Sequence, residues 1–397
     1  MTPLSQKISS RIREAGHPLT FAQFMEMALY DPDYGYYMTG GDRCSGENSD
    51  SPIGMDGGDY YTAPCLSPFL AKCLARQLQE IDELLEQPTE FTLLEMGPGE
   101  GRFMKDVLDE VTRIDPGLCA RLSIILVESS PYLRRLQERM LEANSKTAKI
   151  MWASNLGVLD DDSLVGMVLS NELVDAFPVH RVRMTSEGLK EIYVNHVGGQ
   201  FVEQLEAPST DELSNSLKAL DVDLPVGFTT EINLNAVDWM QQVARVLRRG
   251  VVVTIDYGHT SQDYVSPVRK DGTLLCYYRH TVATNPYERI GEQDMTAHVN
   301  FSSLALVGEQ AGLSLTGFTN LMHFFMSLGI DEMVAEYDQE SDEVQAVVQL
   351  LRPEGMGTTF KVLIQHKGLE VPTLQALRHR PFFEHVLRAR ARIASHV

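Results

Sequence analysis

One stretch of the sequence combines an acid with closely spaced glycines. In Leu93-Leu-Glu95-Met-Gly97-Pro-Gly99-Glu-Gly101, a carboxylate stands two positions before three glycines that alternate with other residues. A glycine turn between a strand and a helix lets a ligand approach the backbone closely and points helix N–H groups at it. The spacing is GxGxG, whereas dinucleotide sites carry GxGxxG. The acid would repel a pyrophosphate and attract an amino group.

The ligand that fits this pattern is S-adenosylmethionine, which carries an α-amino group and no phosphate. The contacts expected at the turn are Glu95, Gly97, Pro98, Gly99 and Gly101. Glu128 ends the next strand pattern, where an acid can accept hydrogen bonds from ribose hydroxyls, and Ser129 follows it. An NAD site and a purely structural turn are the alternatives.

A second group of polar residues, Ser170-Asn171-Glu172-Leu-Val-Asp175-Ala-Phe-Pro178, follows another apolar run. Ligands of open α/β sheets bind outside the carboxyl ends of the strands. We therefore expect Asn171 to contact the cofactor and Glu172 and Asp175 to face an acceptor. The alternative is that Asn171 and Asp175 only cap the next helix.

A third group, Gly57-Gly-Asp-Tyr-Tyr-Thr62, precedes a helix that Ser67-Pro68 opens. This glycine-containing loop could fold over the cofactor as a lid and bring Thr62 to it. The sequence equally allows the two tyrosines to be core residues. The stretch from 40 to 58, rich in Gly, Ser and Asp, is the expected flexible loop.

Apolar runs and amphipathic stretches alternate around these groups. Runs of this kind predict a doubly wound, mostly parallel α/β sheet with helices on both faces. The predicted strands are 91–95, 122–128, 149–153, 164–170, 250–256 and 314–318, and a last strand, Thr358–Gln365, is expected to be antiparallel at one edge. Helices are expected at 103–114 and 236–248, with Ser302 capping another that stops at Gly312.

The chain divides by pattern into five parts. They are an N-terminal helical and lid segment (1–88), the first half of the core (89–179), an inserted accessory α+β subdomain with antiparallel ribbons (180–228), the second half of the core with further insertions (229–367), and a basic C-terminal tail (368–397). The first helix repeats Leu4, Ile8 and Ile12 on one face. The arginines of the tail are expected on a solvated helix face.

Composition narrows the function classes. The 397 residues carry a net charge of −21, which disfavours nucleic acid as a partner and suits a basic peptide or simply solubility. There is no apolar run of membrane-spanning length and no apolar signal segment, so we expect no membrane insertion and no secretion. Five scattered cysteines and dispersed histidines fit a reducing cytoplasm and predict no metal site.

The chain resembles the MidA family, which includes the mitochondrial complex I assembly methyltransferases. The resemblance covers about Phe21 to Phe360. It rests on the stretches FAQFMEMALYDPDYGYY, GDYYTAPCLSPF, LLEMGPGEGRFMKDVL, LVESSPYLRRLQ, SNELVDAFPVHR, TIDYG, GTLLCYYRH and GEQDMTAHVNFSSL.

The resemblance implies a class I methyltransferase fold with a seven-stranded sheet. It implies that Glu95, Gly97, Gly99, Gly101 and Glu128 contact the cofactor and that residues 171–175 face the acceptor. In the mitochondrial branch it also implies an arginine of a respiratory complex I subunit as acceptor. A mitochondrial matrix location is expected only if a leader is missing from this chain.

An arginine acceptor requires carboxylates, because the guanidinium is always protonated and presents a fork of N–H donors. Glu172 and Asp175 are the expected clamp, Asp256 is the reserve acid, and a neighbouring carboxylate or His298 could take the released proton. Two other classes remain open: a methyltransferase for a small or lipid-like acceptor, and a cofactor-binding assembly factor without turnover. A homodimer is also left open.

Overall fold

The computed structural model describes residues 2–39, 68–146, 148–279, 281–338, 340–352, 355–382, 384–388 and 391–392. The predicted loop 40–58 and the lid segment 57–62, with Thr62, lie outside the described residues. The described helices are α1 (Pro3–Ala15), α2 (Phe21–Tyr30), α3 (Phe69–Leu84), α4 (Arg102–Ile114), α5 (Pro116–Cys119), α6 (Pro131–Met140), α7 (Glu212–Ala219), α8 (Leu234–Val246), α9 (Ser261–Tyr264), α10 (Phe301–Gln310), α11 (Leu321–Ser327), α12 (Ile330–Ala335), α13 (Asp342–Leu351) and α14 (Met356–Thr359).

The described strands form four sheets. They are β1 (Leu19–Thr20), β2 (Phe91–Met96), β3 (Leu122–Val127), β4 (Lys149–Ala153), β5 (Leu164–Asn171), β6 (His180–Thr185), β7 (Gly188–Val197), β8 (Gln200–Glu206), β9 (Val222–Asp223), β10 (Thr229–Ile232), β11 (Leu247–His259), β12 (Leu275–Tyr278), β13 (Thr281–Ala283), β14 (Asp294–Thr296), β15 (Val299–Asn300), β16 (Ser314–Asn320), β17 (Phe360–Lys367) and β18 (Ala391–Arg392).

The central sheet has the order β16-β17-β11-β5-β2-β3-β4, and β15 pairs with the end of β11. Strands β11, β5, β2, β3 and β4 are mutually parallel, and β17 is antiparallel to both of its neighbours. Successive residues of β2 enter different cores. Leu93 packs with α3 and α4, and Leu94 packs with α8 and α10. The predicted doubly wound, mostly parallel seven-stranded sheet is confirmed.

The predicted position of the last strand is wrong. The strand runs over Phe360–Lys367 and lies between β11 and β16, so β16 forms the edge. Residues 362–366 are buried without a break. A strand buried on both faces in this way lies inside a sheet, because an edge strand usually exposes part of its length.

A second, antiparallel sheet forms the accessory region. Its order is β1-β7-β6-β10, with β8 on the other side of β7. It therefore reaches beyond the range 180–228, because β10 pairs with β6 and the N-terminal β1 pairs with β7. Strand β1 leads into α2, whose apolar residues pack against Val194 of the accessory sheet and Met295 of the three-stranded sheet β13-β12-β14. The N-terminal helices are thus packed on the accessory and three-stranded sheets.

Two local expectations are also wrong. Asn300, rather than Ser302, caps α10 by accepting a hydrogen bond from Ser303 N at 3.2 Å, and the Ser302 hydroxyl accepts one from Ser261 N at 3.0 Å. The C-terminal segment is not a solvated helix. Its described residues form short 3-10 turns and the strand β18, because Leu374, Leu377 and other apolar residues are buried against the core.

Candidate cofactor and acceptor site

The glycine turn lies between β2 and α4. Gly97, Gly99 and Gly101 have φ angles of 68°, 56° and 85°, a region that side chains with a Cβ avoid. A Cβ on Gly97 would lie 2.7 Å from Cδ1 of Leu173. Gly101 caps α4 without a side-chain hydrogen bond from the described residues. The N–H groups at the start of α4 therefore lack a side-chain cap at this end of the turn.

Glu95 is a buried acid near the end of β2. Its side chain lines the cavity described below, and its Oε2 atom has no hydrogen-bond partner among the described residues. Burial raises the pKa of the Glu95 carboxyl to about 8. A buried carboxylate without a partner is costly, so this atom is suited to a cationic ligand group. The α-ammonium of S-adenosylmethionine fits this requirement.

Glu128 follows β3 and is held in place by its neighbours. Its Oε1 accepts a hydrogen bond from Ser130 N at 2.7 Å, and its Oε2 accepts one from Gln137 Nε2 at 3.0 Å. Burial raises the pKa of this carboxyl, and these hydrogen bonds lower it in part. Ser130 also caps α6, whose first residue is Pro131.

Gln137 is a positioning residue that the sequence reasoning missed. The amide Nε2 donates to the Gly99 carbonyl at 2.7 Å as well as to Glu128. Its Oε1 accepts from Trp152 Nε1 at 3.0 Å, and a Cβ on Gly101 would lie 3.3 Å from its Cα. The available signal was a polar residue four positions after Leu133 on the buried face of α6.

A cavity of about 700 Å³ opens at the carboxyl ends of β2, β3 and β5. It brings together the predicted residues Glu95, Gly97, Pro98, Gly99, Glu128, Ser129, Asn171 and Glu172. Gly101 does not line the cavity and instead lies against Gln137. Asp175, Asp256 and His298 do not line it either.

The segment after β5 adopts an unusual backbone. Glu172 has a φ of 52°, a left-handed conformation that costs energy for any residue other than glycine. Its N–H donates to the Ile255 carbonyl at 2.9 Å, and its Oε1 accepts from Asn171 Nδ2 at 3.2 Å. The strained backbone holds the Glu172 side chain in the cavity wall.

Asp256 stabilises the backbone of this segment through hydrogen bonds. Its Oδ2 accepts from the N–H groups of Val174 and Asp175 at 2.9 and 3.3 Å, and its Oδ1 accepts from Tyr257 N at 2.8 Å. Burial raises the pKa of Asp256, with a smaller contribution from Asp175. These bonds occupy the carboxylate in holding the turn at Val174–Ala176.

Asp175 lies beside the cavity wall and is nearly inaccessible to solvent. Its Oδ2 accepts a hydrogen bond from the Tyr257 hydroxyl, and its Oδ1 has no partner among the described residues. Burial raises the pKa of this carboxyl to about 6. The adjoining residue Ala176 does line the cavity.

His298 lies on the far side of Tyr257. Its Nδ1 is 2.9 Å from Nε2 of His259, and its ring contacts the Tyr257 ring edge to face. Burial, with Arg269 and Lys361 nearby, lowers the pKa of His298 to about 4. The imidazole is therefore neutral near pH 7 and is engaged with another histidine.

Several cavity residues come from segments that the sequence reasoning did not assign to the site. Glu26, Tyr30 and Tyr37 come from α2 and the turn after it, and Asp238 and Trp239 come from α8. Ser154 and Asn155 follow β4. The last two could have been expected, since ligands bind where parallel strands end. The others are far from the glycine turn in sequence, and only the tertiary fold brings them close.

The cavity is acidic. The carboxylates in its wall are Glu26, Glu95, Glu100, Glu128, Glu172 and Asp238, whereas Arg102 is the one cationic side chain among the described lining residues. Within the described part of the chain, no cluster of three or more His, Cys, Asp or Glu side chains could hold a metal ion. None of the described helices has the length and hydropathy needed to cross a membrane.

The chain is similar to known methyltransferases. Residues 73–319 match the family model of S-adenosyl-L-methionine-dependent methyltransferases. The chain is 25% identical to "Protein arginine methyltransferase NDUFAF7 homolog, mitochondrial" of Drosophila melanogaster, over 92% of this chain and 85% of that protein. It is 26% identical to the Homo sapiens "Protein arginine methyltransferase NDUFAF7, mitochondrial", over 96% of this chain and 88% of that one.

A solved structure agrees over almost the full length. A Burkholderia thailandensis protein crystallised with S-adenosylhomocysteine superposes with a TM-score of 0.83 at 30% identity, covering 95% of each chain. Glu95, with one carboxylate oxygen that has no partner among the described residues, and Glu128 both line the cavity, and their chemistry suits a ligand of this kind. The chain is a methyltransferase that uses S-adenosylmethionine, and it belongs to the MidA family.

Proposed function

We propose that this enzyme transfers the methyl group of S-adenosylmethionine to a guanidinium nitrogen of an arginine in a protein acceptor. The observation that carries the proposal is the surplus of carboxylates in the cavity, six against one arginine among the described lining residues. A sulfonium cofactor accounts for part of this negative charge. The remainder favours a second cation, and the relatives' names as protein arginine methyltransferases support the same acceptor class.

We call Glu95, the turn at residues 97–101 and Glu128 the cofactor side of the cavity. Glu95 would bind the α-ammonium, and Glu128 would accept hydrogen bonds from the ribose hydroxyls. Gln137 would fix the position of the turn relative to Glu128, because its amide group donates hydrogen bonds to both. Bound S-adenosylmethionine supplies an electrophilic methyl group attached to a sulfonium.

We call Glu172, Glu26, Tyr30 and Tyr37 the acceptor side. Glu172 would accept N–H hydrogen bonds from the guanidinium fork and orient one nitrogen toward the methyl carbon. Asp256 would hold the 174–176 turn, and Asp175 would add negative charge behind it. A carbon–nitrogen bond forms as the carbon–sulfur bond breaks, and the nitrogen releases one proton, which a nearby carboxylate can accept.

The test is to incubate the purified protein with methyl-labelled S-adenosylmethionine and a cell lysate. Label in a protein that yields methylarginine after acid hydrolysis supports the proposal, and a respiratory complex I subunit is the first acceptor to examine. Label in the organic extract would indicate a small or lipid-like acceptor instead. No transfer despite tight binding of S-adenosylhomocysteine would indicate an assembly factor without turnover.

A further inference from the structure

We propose that Tyr30, Tyr37 and Glu26 form the subsite that selects the acceptor cation. This inference rests on the proposed function, because it names the residues that distinguish a guanidinium from other acceptor groups. All three side chains line the cavity that the glycine turn also lines. They come from α2 and from the turn that follows it, outside the core sheet.

The two tyrosine rings form a fixed aromatic wall. Their centroids are 5.5 Å apart, and their planes meet at 30°. The Tyr30 hydroxyl donates to the Ala176 carbonyl at 3.0 Å, and the Tyr37 hydroxyl donates to Asp294 Oδ1 at 2.7 Å. Each hydroxyl is thus anchored at a different element, which orients both rings before any ligand arrives.

The helix that carries Glu26 and Tyr30 is firmly attached. Thr20 and Gln23 form a capping box at its start, and its buried residues join one core with the accessory and three-stranded sheets. Glu26 and Tyr30 are four positions apart, so they lie on one face of the helix. That face is the one turned to the cavity, because both residues line it.

Carboxylates on several elements surround the aromatic wall. Asp294, Glu26, Asp175 and Glu128 all lie near enough to Tyr30 to add to the effect of its burial, and together they hold the Tyr30 pKa well above 10. The hydroxyl therefore stays neutral and keeps its bond to the Ala176 carbonyl. The two rings therefore line the cavity within a region of negative potential.

This combination suits a planar cation. A guanidinium can stack on an aromatic face through cation–π attraction and still donate N–H bonds to carboxylates in its own plane. An ammonium is a compact, strongly hydrated charge that cannot stack in this way. A urea group has the guanidinium shape without the charge, so it isolates the electrostatic part of the recognition.

The experiment measures binding, so it does not depend on turnover. The probes are Nα-acetyl-arginine amide, its citrulline analogue and its lysine analogue, titrated by ligand-observed NMR in saturating S-adenosylhomocysteine. The variants are Tyr30→Leu and Glu26→Gln. The matched controls, both away from the cavity, are Tyr193→Leu on β7 and Glu187→Gln in the turn between β6 and β7. Calorimetry with S-adenosylhomocysteine and a thermal scan accompany each variant.

We expect the arginine probe to bind at least about fivefold more tightly than either analogue. Tyr30→Leu should remove most of this preference, and Glu26→Gln, at an exposed position that should tolerate it, should weaken arginine binding about threefold. Equal binding of the three probes would overturn the proposal. So would a Tyr30→Leu protein that binds arginine normally, or one that loses S-adenosylhomocysteine to the same extent, since the wall would then serve the cofactor.

The two proposals fail separately. An absence of methylarginine in the lysate experiment would contradict the proposed function whatever the probes show. If methylarginine forms but the Tyr30→Leu and Glu26→Gln proteins methylate the same acceptor with unchanged KM, the subsite is wrong and the function stands.

Discussion

Three residues of the cofactor side, Glu95, Gly97 and Gly99, lie within five consecutive positions of the chain. The acceptor side instead joins Glu26 and Tyr30 to Glu172, which is more than 140 positions away. The first is a local motif on a strand–turn–helix unit, and the second is assembled by tertiary packing. The proposed cofactor side thus rests largely on one local turn, whereas the proposed acceptor side depends on how α2 packs against the accessory and three-stranded sheets.

This contrast predicts that substitutions on the two sides separate turnover from cofactor affinity. The largest effect is expected from Glu172→Gln. Removing the charge that we propose orients the guanidinium should lower kcat/KM for the labelled acceptor about hundredfold, with S-adenosylhomocysteine affinity unchanged within about twofold. Glu86→Gln is the matched control, since Glu86 also has a positive φ but lies away from the cavity. Full turnover of Glu172→Gln would disprove the carboxylate clamp.

The next largest effect should fall on the opposite side. Glu95→Gln removes the charge that we propose binds the cofactor's ammonium, so calorimetry should show S-adenosylhomocysteine binding weakened about thirtyfold. Because the Glu95 pKa is about 8, affinity should also rise as the pH increases toward 8, beyond any change seen in the variant. The control is Glu90→Gln, because Glu90 lies just before β2 and forms an exposed ion pair with Lys149. A variant that binds normally would move the ammonium site elsewhere.

The same residue connects binding to stability. Burial raises the Glu95 pKa from 4.5 to about 8, so between these values the folded protein keeps a proton that the unfolded chain releases. The protonated Glu95 carboxyl therefore stabilises the folded protein fully below pH 4.5, and this stabilisation is lost as the pH rises from 4.5 to 8. The melting temperature of Glu95→Gln should fall less over this range than that of the unsubstituted protein. Parallel curves for the two proteins would contradict the raised pKa.

A smaller effect should come from the residue that links the turn to Glu128. Gln137→Leu removes the amide that bonds to the Gly99 carbonyl and to Glu128, and we expect about tenfold weaker S-adenosylhomocysteine binding. Gln77→Leu is the control, since Gln77 is equally buried but bonds to Glu80 and Ala376 away from the cavity. Both variants should lose stability. If both also lost affinity equally, Gln137 would be a general core residue.

The contrast between the two sides also explains what the sequence could predict. The strand–helix alternation and the glycine spacing are local, so the central sheet, the turn and the carboxylates at 95, 128 and 172 could be placed. The order of β17 and β16 depends on long-range pairing, and so does the approach of Tyr30 to Ala176. The sequence places Asp256 at the end of its strand, whereas β11 continues to His259, and the backbone partners of Asp256 appear only in three dimensions.

The smallest effect is expected at His298. Its Nδ1 pairs with His259, it does not line the cavity, and its pKa of about 4 leaves it neutral from pH 5 upward. His298→Gln should therefore change kcat less than about twofold between pH 5 and 8, although the loss of a packed ring can lower the melting temperature. His17→Gln, an exposed histidine, controls for the substitution itself. A loss greater than tenfold at pH 7 would mean that His298 accepts the proton from the acceptor nitrogen, and the acceptor side would then extend through Tyr257 to the histidine pair.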